Sequence, residues 1–356
     1  MTLENKNKLF QLLETHSPSG AEHHYQRVWM DMMRPFAHLD TDQAGNAIAS
    51  LNPEADFKIM MAAHCDEISM MVTGINPDNG FIGVIKCGGI NPAVLPGSKV
   101  TILGYSGEKI RGVIGLDPQA KPKPAELSLE KGDLSSFFID TGIPDHEALK
   151  KLVRRGDYVV YDGSPEIIGE DKIVSKALDN KTGSFIVAET LRKLSEKKLP
   201  VGVYAVNTTG EETNGRGAYA AAAKIKPDLA IICDVTFETR GADGKYNKPK
   251  VLFGKGPAIS FGSPVSPVLN AKLEEVAQKH GLPIQLELTP EKTHTDGDTL
   301  LRAANGVPIV LVSLPVRYMH SPVEMASLKD IDIEIDLLVE FIKSFTGKED
   351  LRPVTP

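Results

Sequence analysis

Apolar residues along this chain follow two spacings, and the switch between them predicts the architecture. From about Val174 onward, helix-period segments (SFIVAETLRKL, RGAYAAAAKI, NAKLEEVAQKH and EIDLLVEFIKSF) alternate with short, nearly unbroken apolar runs (VGVYAVN, LAIICDV, PIQLEL and PIVLVSLP). The first kind puts its apolar positions on one face of a helix, and the second reads as strands buried on both faces. Such alternation predicts an α/β fold around a mostly parallel sheet. At the other end, Leu3, Leu9, Phe10, Leu12 and Leu13 predict a helix that ends before SPSG. Ser19 with Glu22 predicts a capping box for a second helix, stopping at Pro35. The strands AIASL and FKIMMAA follow, and the latter runs straight into His64.

The stretch from about Ser69 to Asp162 breaks this pattern. It is rich in Gly and Pro, has hardly any helical spacing, and carries short β-type runs: FIGVIKC, KVTILGY, KIRGVIG, FFIDTG and DYVVYD. Short, regularly spaced strands predict a small barrel or sandwich, and PQAKPKPAELSLEKG predicts a mobile loop inside it. The expected organisation is therefore a split α/β domain, residues 1–68 and 166–356, interrupted by a β-rich insert at 69–165.

Composition narrows the function classes. The 356 residues, 41% hydrophobic and 24% charged, describe an ordinary globular chain. A formal charge of -7 gives no basic footprint for nucleic acid. Cys65, Cys87 and Cys233 form neither a CxxC nor an even framework, which suits a reducing compartment. The N-terminal segment lacks the apolar core of a signal peptide, and no run approaches the roughly 20 residues that span a bilayer. The expectation is a cytoplasmic protein without a membrane partner.

Ligand-type side chains end the apolar runs. His64, Asp66 and Glu67 follow IMMAA, Asp179 follows IVSKAL, Glu211 and Glu212 follow VYAVNTTG, Asp234 ends LAIIC, and His320 ends IVLVSLPVRYM. In open α/β sheets, ligands bind in the crevice outside the carboxyl ends of the strands. Carboxylates gathered there are rarely buried unless paired or coordinated to a metal, so His64, Asp179, Glu212, Asp234 and His320 are candidate ligands. Two divalent ions about 3.5–4 Å apart require a bridging carboxylate, terminal ligands and a free carboxylate base. Asp179 suits the bridge. Asp66, two residues beyond His64, can orient its imidazole. Of the adjacent Glu211 and Glu212, one can bind metal while the other faces a substrate water. Taken singly each residue has a plainer reading, Asp179 as a helix cap and the Glu pair as solvated surface. It is their agreement that points to a metal site.

HCDEI, KALDNKTG, GEETNGRGA, CDVT, HTDGD and PVRYMHSPVE, in this order, resemble the glutamyl/leucyl aminopeptidase family of di-zinc metallopeptidases. These are the tetrahedral, TET-type aminopeptidases, some once labelled cellulases. The resemblance spans nearly the whole chain. It implies a zinc-peptidase-like three-layer α/β/α domain interrupted by a small barrel-like oligomerisation insert, and a cytosolic enzyme that trims peptides. Two divalent ions are implied, zinc with cobalt able to substitute, and so is a homo-oligomer, a dodecamer built from dimers. Carried over by motif, His64 and Asp234 hold one metal, Glu212 and His320 the other, and Asp179 bridges them. Glu211 is then the general base, and Asp66 tunes His64.

Three positions depart from the family pattern: EETNGRGA where EE-[VI]-G-x-[RK]-G-A is usual, Cys65 where Met is usual, and His294 where Gly precedes Thr-Asp. The expected pocket walls are Thr236–Gly241, Thr293–Asp298 and the insert, with Arg240 and Lys292 as candidate selectors of acidic side chains and an apolar preference as the alternative. A deacylase or carboxypeptidase-like hydrolase could use the same ligands, and a non-catalytic scaffold could keep the metals for stability. Glu211 beside a ligand glutamate argues for catalysis. A glycosidase would leave both histidines and Asp234 without a purpose.

Overall fold

The computed structural model describes residues 1–117, 134–239, 250–303 and 306–354. The chain opens with α1 (Leu3–Glu14), α2 (His23–Met33), β1 (His38–Thr41), β2 (Ala47–Leu51) and β3 (Lys58–His64). Next come β4 (Ser69–Ile75), β5 (Ile82–Cys87), β6 (Lys99–Leu103), β7 (Lys109–Leu116), β8 (Phe137–Asp140), the single turn α3 (His146–Leu149) and β9 (Tyr158–Tyr161). β10 (Glu166–Ile168) and β11 (Lys172–Ser175) lead into α4 (Leu178–Ser195), β12 (Gly202–Thr208), α5 (Arg216–Ile225) and β13 (Leu229–Phe237). The last elements are β14 (Ala258–Phe261), α6 (Pro267–His280), β15 (Gln285–Leu288), α7 (Asp296–Leu300), β16 (Ile309–Arg317), β17 (Glu324–Ser327) and α8 (Leu328–Lys343).

Eleven strands form one sheet in the order β1-β2-β12-β3-β13-β16-β17-β11-β10, with β14 joined to β16 and β15 to β14. The four central strands β12, β3, β13 and β16 run parallel, and both flanks are antiparallel. Strand alternation divides the centre between two cores. On β3, Ile59, Met61 and Ala63, with Cys65 just past its end, pack beneath α1, α2, α4, α6 and α8, while Met60 and Ala62 pack beneath α5 and α7. Both faces of the sheet are thus covered, a three-layer α/β/α arrangement. That is why these strands read as unbroken apolar runs rather than alternating ones.

β4, β5, β8, β7, β6 and β9 close into a six-stranded barrel. Its interior is filled by Met70, Val72, Ile82, Val100, Ile102 and Ile139 among others. One turn of helix, α3, joins two of its strands.

Several local expectations are corrected. Ser19 does not cap α2: Glu22 occupies the cap position without a side-chain bond to the helix. Ser19 Oγ instead donates to Asp66 (2.7 Å), and Glu22 pairs with Arg216 (3.0 Å). A favourable local motif has been outcompeted by buried tertiary partners. α8 starts at Leu328 rather than Glu334, and β4 is a strand that the sequence reading passed over. The PQAKPKPAELSLEKG loop lies outside the described residues. No described helix is long and apolar enough to cross a membrane.

Candidate metal centre and active site

The alternation that splits the cores also aims the site. Residues on the α5/α7 face of the parallel strands continue toward their carboxyl ends as His64 on β3, Thr208 on β12, Asp234 on β13 and Ser313 on β16. Parallel strands bring these ends together on one side of the sheet.

Asp179 is the hub. It lies in the first turn of α4, where its backbone and that of Asn180 are not helical and the peptide bond between them is cis. Asp179 Oδ1 is 3.1 Å from His64 Nε2, and Oδ2 is 3.2 Å from His320 Nε2. Asp234 Oδ1 and Glu211 Oε2 each lie 3.8 Å from His64 Nε2. Glu212 Oε1 lies 3.5 Å from His320 Nε2. Two sets of donors result, His64–Asp179–Asp234 and Asp179–Glu212–His320, and they share Asp179.

Both imidazoles are held from behind. His64 Nδ1 is 3.0 Å from the main-chain carbonyl of Asp66, with Asp66 Oδ1 at 3.6 Å. His320 Nδ1 is 2.9 Å from the carbonyl of Gly89. An Nδ1–H donated to a carbonyl leaves the Nε2 lone pair facing the carboxylates, the tautomer a metal ligand requires. Gly89 cannot carry a side chain, since a Cβ there would lie 2.6 Å from His320 Nδ1. Cys65 points to the opposite face, into the core.

The supporting carboxylates are anchored by backbone. Asp66 accepts from the amides of Glu211 (3.1 Å) and Glu212 (3.2 Å). Glu324 accepts from the amides of His320 (2.7 Å) and Asp179 (3.0 Å), tying two distant motifs together. Beneath the site, buried Glu67 joins Lys176 Nζ (2.6 Å), Lys181 Nζ (2.8 Å) and the amide of Ser17 (2.8 Å).

Electrostatics follow from this crowding. Burial alone would lower His64 and His320, but the facing carboxylates overturn it. They hold His64 well above the imidazole range and push His320 up to about 12, with Asp179 the leading partner of each. Burial pushes Glu211 and Asp234 well above the usual carboxylate range, and neighbouring carboxylates add to it. Burial likewise lifts Glu324 to about 8 and Asp296 to about 6. The cluster calls for positive charge. Donor separations of 3.1–3.8 Å suit it, because bonds of 2.0–2.1 Å in tetrahedral zinc geometry place ligand atoms roughly 3.3 Å apart. Oxygen and imidazole donors together fit a divalent ion of zinc's class.

Beside these residues opens a cleft of about 690 Å³, walled by Val235, Thr236, Phe237, Glu287, Leu288 and Met319. Thr293, His294 and Thr295 line it as well, as does Lys292 at the exposed rim. Arg240 and Gly241 lie outside the described residues.

The family model for M42 glutamyl aminopeptidase matches residues 45–337. The chain belongs to this family. The lysyl aminopeptidase of Pyrococcus furiosus is 31% identical over 97% of this chain and 96% of its own length. The structure of aminopeptidase APDkam598 from the archaeon Desulfurococcus kamchatkensis superposes with a TM-score of 0.87 at 31% identity, covering 97% of this chain and 96% of that one. The Pyrococcus horikoshii TET1 peptidase, which can assemble into a tetrahedron or a large octahedral shell, gives 0.82 at 26% identity over 96% and 100%. This M42 chain is accordingly a peptide hydrolase, an aminopeptidase whose reaction is metal-dependent.

Two further buried carboxylates, Glu324 and Asp296, stand near the site with no role assigned to them from the sequence. Glu324 lies four residues beyond His320 within PVRYMHSPVE, and that spacing was its only signal. Asp296, which falls in the HTDGD motif and in the expected Thr293–Asp298 wall, accepts from Thr208 Oγ1.

Proposed function

We propose that this aminopeptidase removes N-terminal residues from short peptides with two divalent cations per subunit, zinc foremost and cobalt able to replace it. His64 and Asp234 hold one cation, Glu212 and His320 the other, and Asp179 bridges. The observation that carries this reading is the pair of Asp179 oxygens, each turned to a different imidazole at 3.1 and 3.2 Å. When bound, such a pair supplies Lewis acidity toward a scissile carbonyl and an attacking water.

The chain's own residues supply the rest. Glu211 is fixed through its amide by Asp66, and its Oε2 reaches to 3.8 Å from His64 Nε2. From there it takes the proton of the attacking water and passes it to the leaving amine. The Asp66 and Gly89 carbonyls keep both imidazoles in one tautomer throughout. No arginine lines the cleft among the described residues. A carboxypeptidase-like enzyme would need such a group for its substrate's carboxylate, whereas a free α-amine is served by acidic neighbours.

The barrel-containing insert, residues 69–165, serves assembly and gates the site, and a dodecamer is the expected form. Support comes from the TET1 relative's own assemblies. Three free cysteines support a reducing, cytoplasmic setting.

The test is release of p-nitroaniline from an aminoacyl panel by chelated protein, before and after zinc or cobalt, with Glu211→Gln as control. Metal-restored release that Glu211→Gln abolishes is expected, with two equivalents bound per subunit. Metal binding without release of any N-terminal residue would refute the catalytic reading and favour a deacylase or a scaffold.

A further inference from the structure

We propose that Glu287 makes this an aminopeptidase for cationic N-terminal side chains, lysine or arginine. The proposal rests on the aminopeptidase reading and adds the choice of residue.

Side chains alternate along β13, so Asp234 and Thr236 point to the same face, about 7 Å apart along the strand. Thr236 Oγ1 donates to Glu287 Oε1 from that face. Ser260 Oγ approaches Glu287 Oε2 at 3.5 Å, and the register places Ser260 directly opposite Glu287. The carboxylate is therefore fixed in the cleft wall, one step beyond the proposed metal ligands. A four-carbon ammonium stem has the reach to bridge that step.

Both partners of Glu287 are neutral hydroxyls. They orient the carboxylate without cancelling its charge, and no ion pair to it occurs among the described residues. The other charges on the cleft, Glu291 and Lys292, sit exposed at the rim, where water screens them. The half-buried charge in the cleft wall is negative. An acidic N-terminal side chain would meet it as a like charge. A purely apolar one would strip water from it without replacing the lost hydrogen bonds. A lysine or arginine satisfies it, and its aliphatic stem can lie along the cleft lining. The structure thus points away from the acidic preference that Lys292 suggests in sequence, because Lys292 faces solvent.

The experiment measures kcat/KM of the metal-loaded enzyme on Lys-, Arg-, Leu- and Glu-p-nitroanilide, with Glu287→Gln and Glu287→Lys. Expected is a wild-type preference for Lys and Arg over Glu of at least tenfold. Glu287→Gln should lower the Lys-to-Leu ratio by on the order of tenfold, the loss of one charge-assisted contact. Glu287→Lys should raise Glu above Lys. Reading ratios removes any general damage to the fold. A wild type that favours Leu or Glu, or a Glu287→Gln variant that lowers Lys and Leu alike, would overturn the proposal while leaving the aminopeptidase intact. No release from any substrate would remove both.

Discussion

Replacing Glu67 by Gln tests whether the charges beneath the site hold it together. Glu67 is fully buried between Lys176 and Lys181, which are themselves fully buried. Burial works against its charge, but the two ammoniums overcome that and hold its carboxyl well below the usual range. Burial also pulls Lys181 down to about 7. Glutamine keeps the shape and an acceptor for the Ser17 amide, yet leaves two buried lysines without a counter-ion. Breaking a buried pair by removing one partner costs about 3–5 kcal/mol. For a chain of this size that corresponds to a fall in Tm of roughly 1.3 °C per kcal/mol. Urea unfolding of the metal-loaded protein, followed by circular dichroism, should show a loss in this range. Adding Lys176→Met should recover part of it by removing one stranded charge. A loss below about 1 kcal/mol, or no recovery in the double variant, would refute the reasoning and show the cluster to be solvated or readily rearranged.

Two further outcomes follow from local geometry. Burial, with the Lys176 charge second, lowers His16 to about 3, so between about 3 and 6.5 the unfolded chain binds a proton that the folded chain refuses. Stability therefore falls as pH drops below 6.5, by up to about 1.4 kcal/mol per unit from this group. His16→Phe should flatten that slope relative to wild type in urea titrations from pH 7 to 5, and an unchanged slope would contradict it. His294 holds φ at +55°, a left-handed backbone that glycine adopts freely. The left-handed backbone costs a non-glycine residue roughly 1–2 kcal/mol, partly offset by glycine's greater freedom when unfolded. His294→Gly should thus stabilise by about 0.5–1 kcal/mol in thermal melts, and a lower Tm would show the imidazole to be making contacts of its own.

The legible part of this protein was its alternation. KIMMAAH and LAIICDV announced buried parallel strands, and the residues that ended them, His64 and Asp234, did converge. RGAYAAAAKI became α5 from its first residue to its last. Pairing across long separations was not legible. Nothing in AIASL says that it runs antiparallel to β12, and nothing in PIQLEL says that its glutamate faces Thr236. The failed capping box at Ser19 shows the same limit from the other side. A local motif worth about 1 kcal/mol yields to a buried carboxylate that needs a donor. Glu324 was missed because its work is done through two backbone amides, those of Asp179 and His320, which sequence patterns do not display.

The carbonyl of Gly89, just past the end of β5, keeps His320 in its tautomer. The barrel is consequently no detachable appendage. A chain shortened by excising it would keep His320 but lose the carbonyl that holds that ring's Nδ1. The insert therefore shares in orienting a proposed metal ligand as well as forming its own core.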